Sequence, residues 1–203
     1  MKKILLMFVC LAGAVAASAG KSYIFLAPGF EEVEALTTVD ALRRAHMDVA
    51  TVAVADGREV TGATGITVLA DSLIADIHPD GAEWLIVPGG QPGADNLHAN
   101  ATVGKMLKRQ AAHDGGIAAI CAAPAIVLAP LDILDGKCAT CYPGLEKSIT
   151  ANGGEYTEGS VVVDGELVTS EGPGTTLPFA MEIIRISKGE RIADLVAHSM
   201  LEH

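Results

Sequence analysis

The sequence predicts an α/β fold built on a mostly parallel sheet with helices on both faces. Three observations predict it. Short apolar runs rich in strand formers alternate with segments of helical period. The first strand, helix and strand follow one another within about 35 residues, the size of a crossover unit between parallel strands. Half the residues are hydrophobic yet only 4% are aromatic. The core is therefore filled by Ala, Val, Ile and Leu, as in strands buried on both sides.

Residues 22–27 form the first apolar strand, broken by Pro28-Gly29. A helical pattern follows over 31–44, with Val33, Leu36, Val39 and Leu42 on one face. Residues 48–55 are the next strand, ended by Asp56-Gly57. Two short β-like pieces lie within 59–70. Trp84 to Val87 is a buried strand stopped by Pro88-Gly89-Gly90, and a helix is expected over 101–113. The small-residue strand 116–120 runs into Cys121 and a helix over 124–128. A strand is expected over 137–142. Residues 161–170 read as a hairpin turning at Asp164-Gly165, and helices near 175–187 and 190–201 close the chain. In such sheets ligands bind outside the carboxyl ends of the strands. That rule selects the loops 28–34, 88–93, 121–124, 142–143 and 172–175.

The 203 residues suit one domain, over 21–203, after an address segment. Lys2 and Lys3 precede an apolar run from Ile4 to Ala17, and Ala17-Ser18-Ala19 has the small residues of a signal-peptidase site. Residues 1–20 are therefore expected to be a signal peptide and the protein to be exported, periplasmic or secreted; the alternative is a cytoplasmic protein. No other run is long enough for a membrane helix, so no stable membrane association is expected. Beyond residue 20 the chain carries 12 basic and 25 acidic side chains, a net of −13. With no basic stripe, nucleic-acid binding is excluded.

Cys121 is the first candidate for chemistry. In Ile120-Cys-Ala-Ala-Pro124 it stands where a strand turns into a helix, the arrangement of a nucleophile elbow. The small Ala122 and Ala123 permit a sharp turn, and the start of the next helix would favour thiolate. A buried, inert core cysteine is the competing reading. Glu34, in Glu31-Glu-Val-Glu34, is the second. Glu31 and Glu32 are expected to cap the helix or face water, whereas an inward Glu34 would stay protonated and hydrogen-bond a thiolate; the competing reading, which the local sequence alone favours, is a third solvated surface glutamate. Gly90 and Ala122 are the third, as backbone amides able to form an oxyanion hole. All six histidines fall away from the expected carboxyl edge, so no Cys–His dyad is apparent. Cys138 and Cys141 lie on an expected strand, where residues three apart face opposite sides. They read as structural thiols, with Cys141 placed to approach Cys121.

Four separated segments, FLAPGFEEVEALTTVDALRRA, WLIVPGGQPGADNL, GGIAAICAAPAIVLA and LVTSEGPGTTLPFAMEI, together resemble the ThiJ/PfpI superfamily, in its DJ-one (Parkinson-disease protein deglycase) branch. The resemblance implies a flavodoxin-like three-layer sandwich and a homodimer. It places the oxidation-prone cysteine on Cys121, the protonated glutamate on Glu34 and the oxyanion-hole amides on Gly90 and Ala122. Where branch members often carry histidine before proline, this chain has Tyr142-Pro143. A phenol can donate a hydrogen bond but is a poor base at neutral pH. Alanine after Cys121 argues against peptidase activity.

The resemblance implies a cofactor-independent cysteine enzyme acting on small α-oxoaldehydes such as methylglyoxal or on their adducts, of the glyoxalase III or deglycase type, with neither metal nor nucleotide. The alternative is a non-catalytic redox sensor or holdase chaperone that works through oxidation of Cys121.

Overall fold

A computed structural model describes residues 20–113 and 115–202. The leader expected over 1–20 lies outside the described residues except for Gly20. The first crossover unit comprises β1 (Ser22–Leu26), α1 (Glu32–Arg44) and β2 (Val49–Ala53). A hairpin, β3 (Glu59–Thr61) and β4 (Thr67–Leu69), precedes the two-residue β5 (Ser72–Leu73) and then β6 (Trp84–Val87). Next come α2 (Gly93–Ala99), α3 (Ala101–Ala112) and β7 (Gly116–Ile120). The last third holds β8 (Cys138–Ala139), α4 (Glu146–Ala151), β9 (Glu155–Tyr156), β10 (Val161–Asp164), β11 (Leu167–Ser170), α5 (Thr176–Lys188) and α6 (Glu190–Ser199).

Seven strands form one sheet in the order β10-β11-β7-β6-β1-β2-β5. Every pairing in it is parallel except β10 with β11. The mostly parallel α/β sheet expected from the sequence is therefore present. Strands β2, β6, β7 and β11 are buried along their whole length, which explains their continuous apolar runs. Helices α1, α5 and α6 pack together, while α2, α3 and α4 belong with the segment after β7. The parallel strands all end at one edge, and Cys121 lies there, one residue past β7.

Four local expectations are corrected. Val33 and Leu36 do not face the core but are 49% and 37% exposed. The buried side of α1 is Glu32, Glu34, Ala35, Thr38, Val39, Ala41 and Leu42, so the stripe is rotated toward small and polar residues. Glu32 neither caps nor faces water. Its Oε1 accepts from the Thr64 amide (2.9 Å), the Thr64 hydroxyl (2.7 Å) and the Ile66 amide (3.3 Å), fastening the β3–β4 turn to α1. Glu31 alone takes the capping role, accepting from the Val33 amide at 3.4 Å.

The strand expected over 137–142 shrinks to Cys138–Ala139, paired with β9 outside the main sheet. Its amides are diverted: Cys138 N–H goes to Asp164 Oδ2 (2.8 Å), Thr140 N–H to Thr169 Oγ1 (3.0 Å) and Tyr142 N–H to the Cys121 carbonyl (2.7 Å). The segment Pro124–Leu128 is a π-helical turn rather than an ordinary helix. A short helix that sequence reading did not detect, α2, follows the glycine loop.

The sheet's centre is tightly shaped around Trp84, the chain's one tryptophan, whose Nε1 donates to Ser187 Oγ at 2.7 Å. A Cβ on Gly116 would lie 2.6 Å from Trp84 Cδ2 and 2.7 Å from the Glu83 carbonyl. Gly116→Val is expected to destabilise the fold by about 1–3 kcal/mol, measured by urea denaturation with Trp84 emission as the probe. Unchanged stability would contradict this packing.

Candidate active site

Cys121 has φ 64, the left-handed region that residues with a Cβ rarely enter. Its neighbours hold it there. The Cys121 amide donates to the Ser170 carbonyl at 2.9 Å, and its own carbonyl accepts from Tyr142 N–H at 2.7 Å. Ser170 is in turn fixed: its Oγ donates to the Ser160 carbonyl (2.7 Å) and shares a 2.6 Å hydrogen bond with Thr175 Oγ1. The end of β11 and the segment before Pro143 thus clamp the turn from both sides. This is the strained strand-to-helix geometry of a nucleophile elbow.

Glu34 reaches the same point from α1 and is fully buried. Its Oε2 accepts from Gly89 N–H at 2.7 Å, while Oε1 has no nitrogen or oxygen partner. The Cys121 thiol lies against this carboxyl. Desolvation pushes Glu34 up to about 7, aided by the charge of Glu31 and opposed by the Gly89 amide and the Cys121 thiol. Burial also pushes Cys121 up to about 12, with the Glu34 charge and hydrogen bond adding to it. The amides of Gly90 and Ala122 bear on the sulfur and pull the other way.

The expected helix-favoured thiolate is therefore corrected. The following turn is only five residues long, and burial beside a carboxylate outweighs two amides. From about pH 7 to about pH 12 the pair carries a single proton.

The structure brings together Cys121, Glu34, Gly90 and Ala122. Tyr142 joins them through its backbone; its side chain is 50% exposed, with the ring edge 3.5 Å from where a Cβ on Gly172 would stand. Cys141 is buried, and its thiol is raised by burial and by the charges of Glu146 and Glu171. Cys121, Cys138 and Cys141 are all free thiols. His113 ends α3 at the opposite edge of the sheet.

Sequence reading undervalued Gly89. A Cβ there would fall 2.7 Å from Cys121 Cβ and 3.0 Å from Glu34 Oε2, so only glycine lets its amide reach the acid. Gly90 has φ 89, and a Cβ on it would lie 2.4 Å from the Glu31 amide nitrogen. Among the described residues no group of three or more His, Cys, Asp or Glu could hold a metal ion, and no helix is long and apolar enough to cross a membrane.

The model of the DJ-1/PfpI family matches residues 20–186. Protein dj-1beta of Drosophila melanogaster is 35% identical over 178 residues, covering 88% of this chain and 95% of that protein. The Caenorhabditis elegans protein named glutathione-independent glyoxalase DJR-1.2 is 32% identical, covering 85% and 91%. The solved structure of oxidized Toxoplasma gondii DJ-1 superimposes with a TM-score of 0.86 at 35% identity, covering 90% of this chain and 98% of that one. The chain spans only 36% of the length of the Arabidopsis thaliana Protein DJ-1 homolog B, to which it is 36% identical.

Glu34 supplies a thermodynamic signature. A carboxyl raised from 4.5 to about 7 favours the folded state fully below pH 4.5, and that contribution is lost as pH rises through about 7. Glu34→Gln keeps an acceptor for Gly89 and removes the buried charge. It is expected to be more stable than wild type at pH 8, by up to about 3 kcal/mol at about 1.4 kcal/mol per pH unit. The gain should vanish toward pH 5. Thermal melts across this range check it, and a pH-independent difference would contradict the buried titration.

Proposed function

The chain belongs to the DJ-1/PfpI family, and we propose that within it the protein is a cofactor-independent cysteine enzyme converting small α-oxoaldehydes such as methylglyoxal to hydroxy acids, with their adducts as further substrates. The carrying observation is the Glu34 carboxyl packed against the Cys121 thiol, with one oxygen held by Gly89 and the other left free. The name of the C. elegans relative supports the reading.

In the proposed reaction the Cys121 sulfur attacks the aldehyde carbon while its proton passes to Glu34. The Gly90 and Ala122 amides stabilise the oxygen as it gains charge. Returning the proton to that oxygen gives a hemithioacetal. Glu34 then removes the hydrogen from the former aldehyde carbon and delivers a proton to the neighbouring carbon, while the hydroxyl proton on the first oxygen passes to the neighbouring oxygen. The product is a thioester, which water cleaves to lactate and free thiol. The bound adduct isomerises and one water is added, so no external oxidant or reductant enters. Tyr142, half exposed beside the elbow, is suited to contacting substrate rather than taking its proton.

A peroxide-sensing role for Cys121 needs standing thiolate, which the raised thiol disfavours. Wild-type protein is expected to form lactate from methylglyoxal, and Cys121→Ser and Glu34→Gln each to lose at least about a hundredfold in kcat/KM. Wild-type kcat/KM should fall about tenfold per pH unit below about pH 7 as the Glu34 base is protonated. Lactate formation surviving in either variant would remove the mechanism. Sulfinic acid at Cys121 under low peroxide, without turnover, would favour the sensor.

A homodimer belongs to the same proposal. Val33 and Leu36 are exposed on α1, and Ile66 and Leu69 are 55% and 64% exposed on the hairpin that Glu32 ties to it. Together they make an apolar face suited to a second copy of the chain. Leu36→Asp is expected to shift the sedimenting species from dimer to monomer; an unchanged mass would exclude this face.

A further inference from the structure

A second cleft of about 600 Å³ opens at the other edge of the sheet, beneath the amino ends of β6 and β7. Its position separates it from the reactive cysteine by the length of β7, roughly 16 Å at about 3.3 Å per residue. Lys105, Arg109 and His113 line one wall. They lie four residues apart along α3, so they share one side of the helix about 6 Å from one to the next. His78, from the loop before β6, stands among the other lining residues.

Asp80 is the one acid among the described lining residues. It pairs with Arg109 at 3.0 Å, but both partners are more than half exposed, so the pair is weak and leaves most guanidinium donors open. The wall is held firmly. Gln110, a mostly buried residue of the lining, donates from Nε2 to the carbonyls of Ala82 (2.9 Å) and Gly116 (3.2 Å), tying α3 to the loop and to β7. A local concentration of basic groups runs against a chain of net charge −11, whose long-range field repels anions.

We propose that this cleft is a second ligand site, for a small molecule carrying two or more phosphate groups, with Lys105 and Arg109 each taking one group and His78 and His113 completing the shell. Arg109 offers paired N–H donors that match phosphate oxygens, and Lys105 a point charge. The spacing along the helix fits two anionic centres on one ligand better than a single ion. The site is independent of the chemistry proposed at Cys121.

Inorganic pyrophosphate is the probe. Full-length protein titrated at fixed ionic strength is expected to show saturable binding with one site per chain by calorimetry, accompanied by a change in emission from Trp84, which packs against Gly116. The double variant Lys105→Ala/Arg109→Gln should bind about tenfold more weakly or worse, Lys105→Arg should bind as wild type, and Arg191→Ala, an exposed cation on α6, should change nothing. Melting temperatures establish that the variants are folded. No saturable binding at millimolar pyrophosphate, or equal affinity in wild type and the double variant, would overturn the proposal.

Discussion

The left-handed backbone at Cys121 is the constraint on which the site depends. A residue with a Cβ held there costs about 1–3 kcal/mol, and the surrounding structure must supply it. Here the supply is specific: the Ser170 carbonyl on one side and the Tyr142 amide on the other, both under 3 Å. Strand β11 therefore has two tasks. It extends the sheet beside β7, and its last residue fixes the turn that lifts the sulfur above the sheet edge. The same demand explains why the segment before Pro143 abandons its strand. The Tyr142 N–H cannot serve both a ladder and the elbow.

Around that fixed point the electrostatics follow from burial. A fully buried carboxyl and a nearly buried thiol share too little solvation for both to ionise. One proton must remain between them over the physiological range. Gly89 fixes how the carboxyl presents itself, by occupying one oxygen and leaving the other without a nitrogen or oxygen partner. The result is a carboxyl and a thiol already in contact, with the backbone amides of Gly90 and Ala122 beside the sulfur. The acidic N-cap of the same helix, Glu31, adds to the shift rather than relieving it.

Much of this was legible in the sequence, for identifiable reasons. Buried parallel strands write themselves as apolar runs, and glycine or proline marks their ends, so β1, β2, β6 and β7 and the loops beyond them were readable. Cys121 stood out because a strand ends on it. The helical stripe of α1 was misread because hydrophobicity was taken as burial. Val33 and Leu36 are apolar yet outward, while Glu32, Glu34 and Thr38 are polar yet inward. Side-chain hydrogen bonds from residues 32 positions away in sequence, such as Thr64 to Glu32, leave no local trace. The fate of residues 137–142 was hidden for the same cause: Asp164, Thr169 and Cys121 compete for their amides from distant parts of the chain. Gly89 looked like a loop former, because nothing in sequence says which glycine of a pair must admit a carboxylate.

Glu32 and Glu34 stand two residues apart on the first turns of α1 and are gripped from different directions, one by the hairpin turn and one by the glycine loop. The hairpin is therefore an anchor for the helix start that carries the buried acid. Side chains at the tip other than Thr64 and Gly62 can vary, but lengthening or shortening the turn would slacken the helix start and blur the position of the acid it carries. Natural drift in loop length should accordingly be confined elsewhere on the molecular surface.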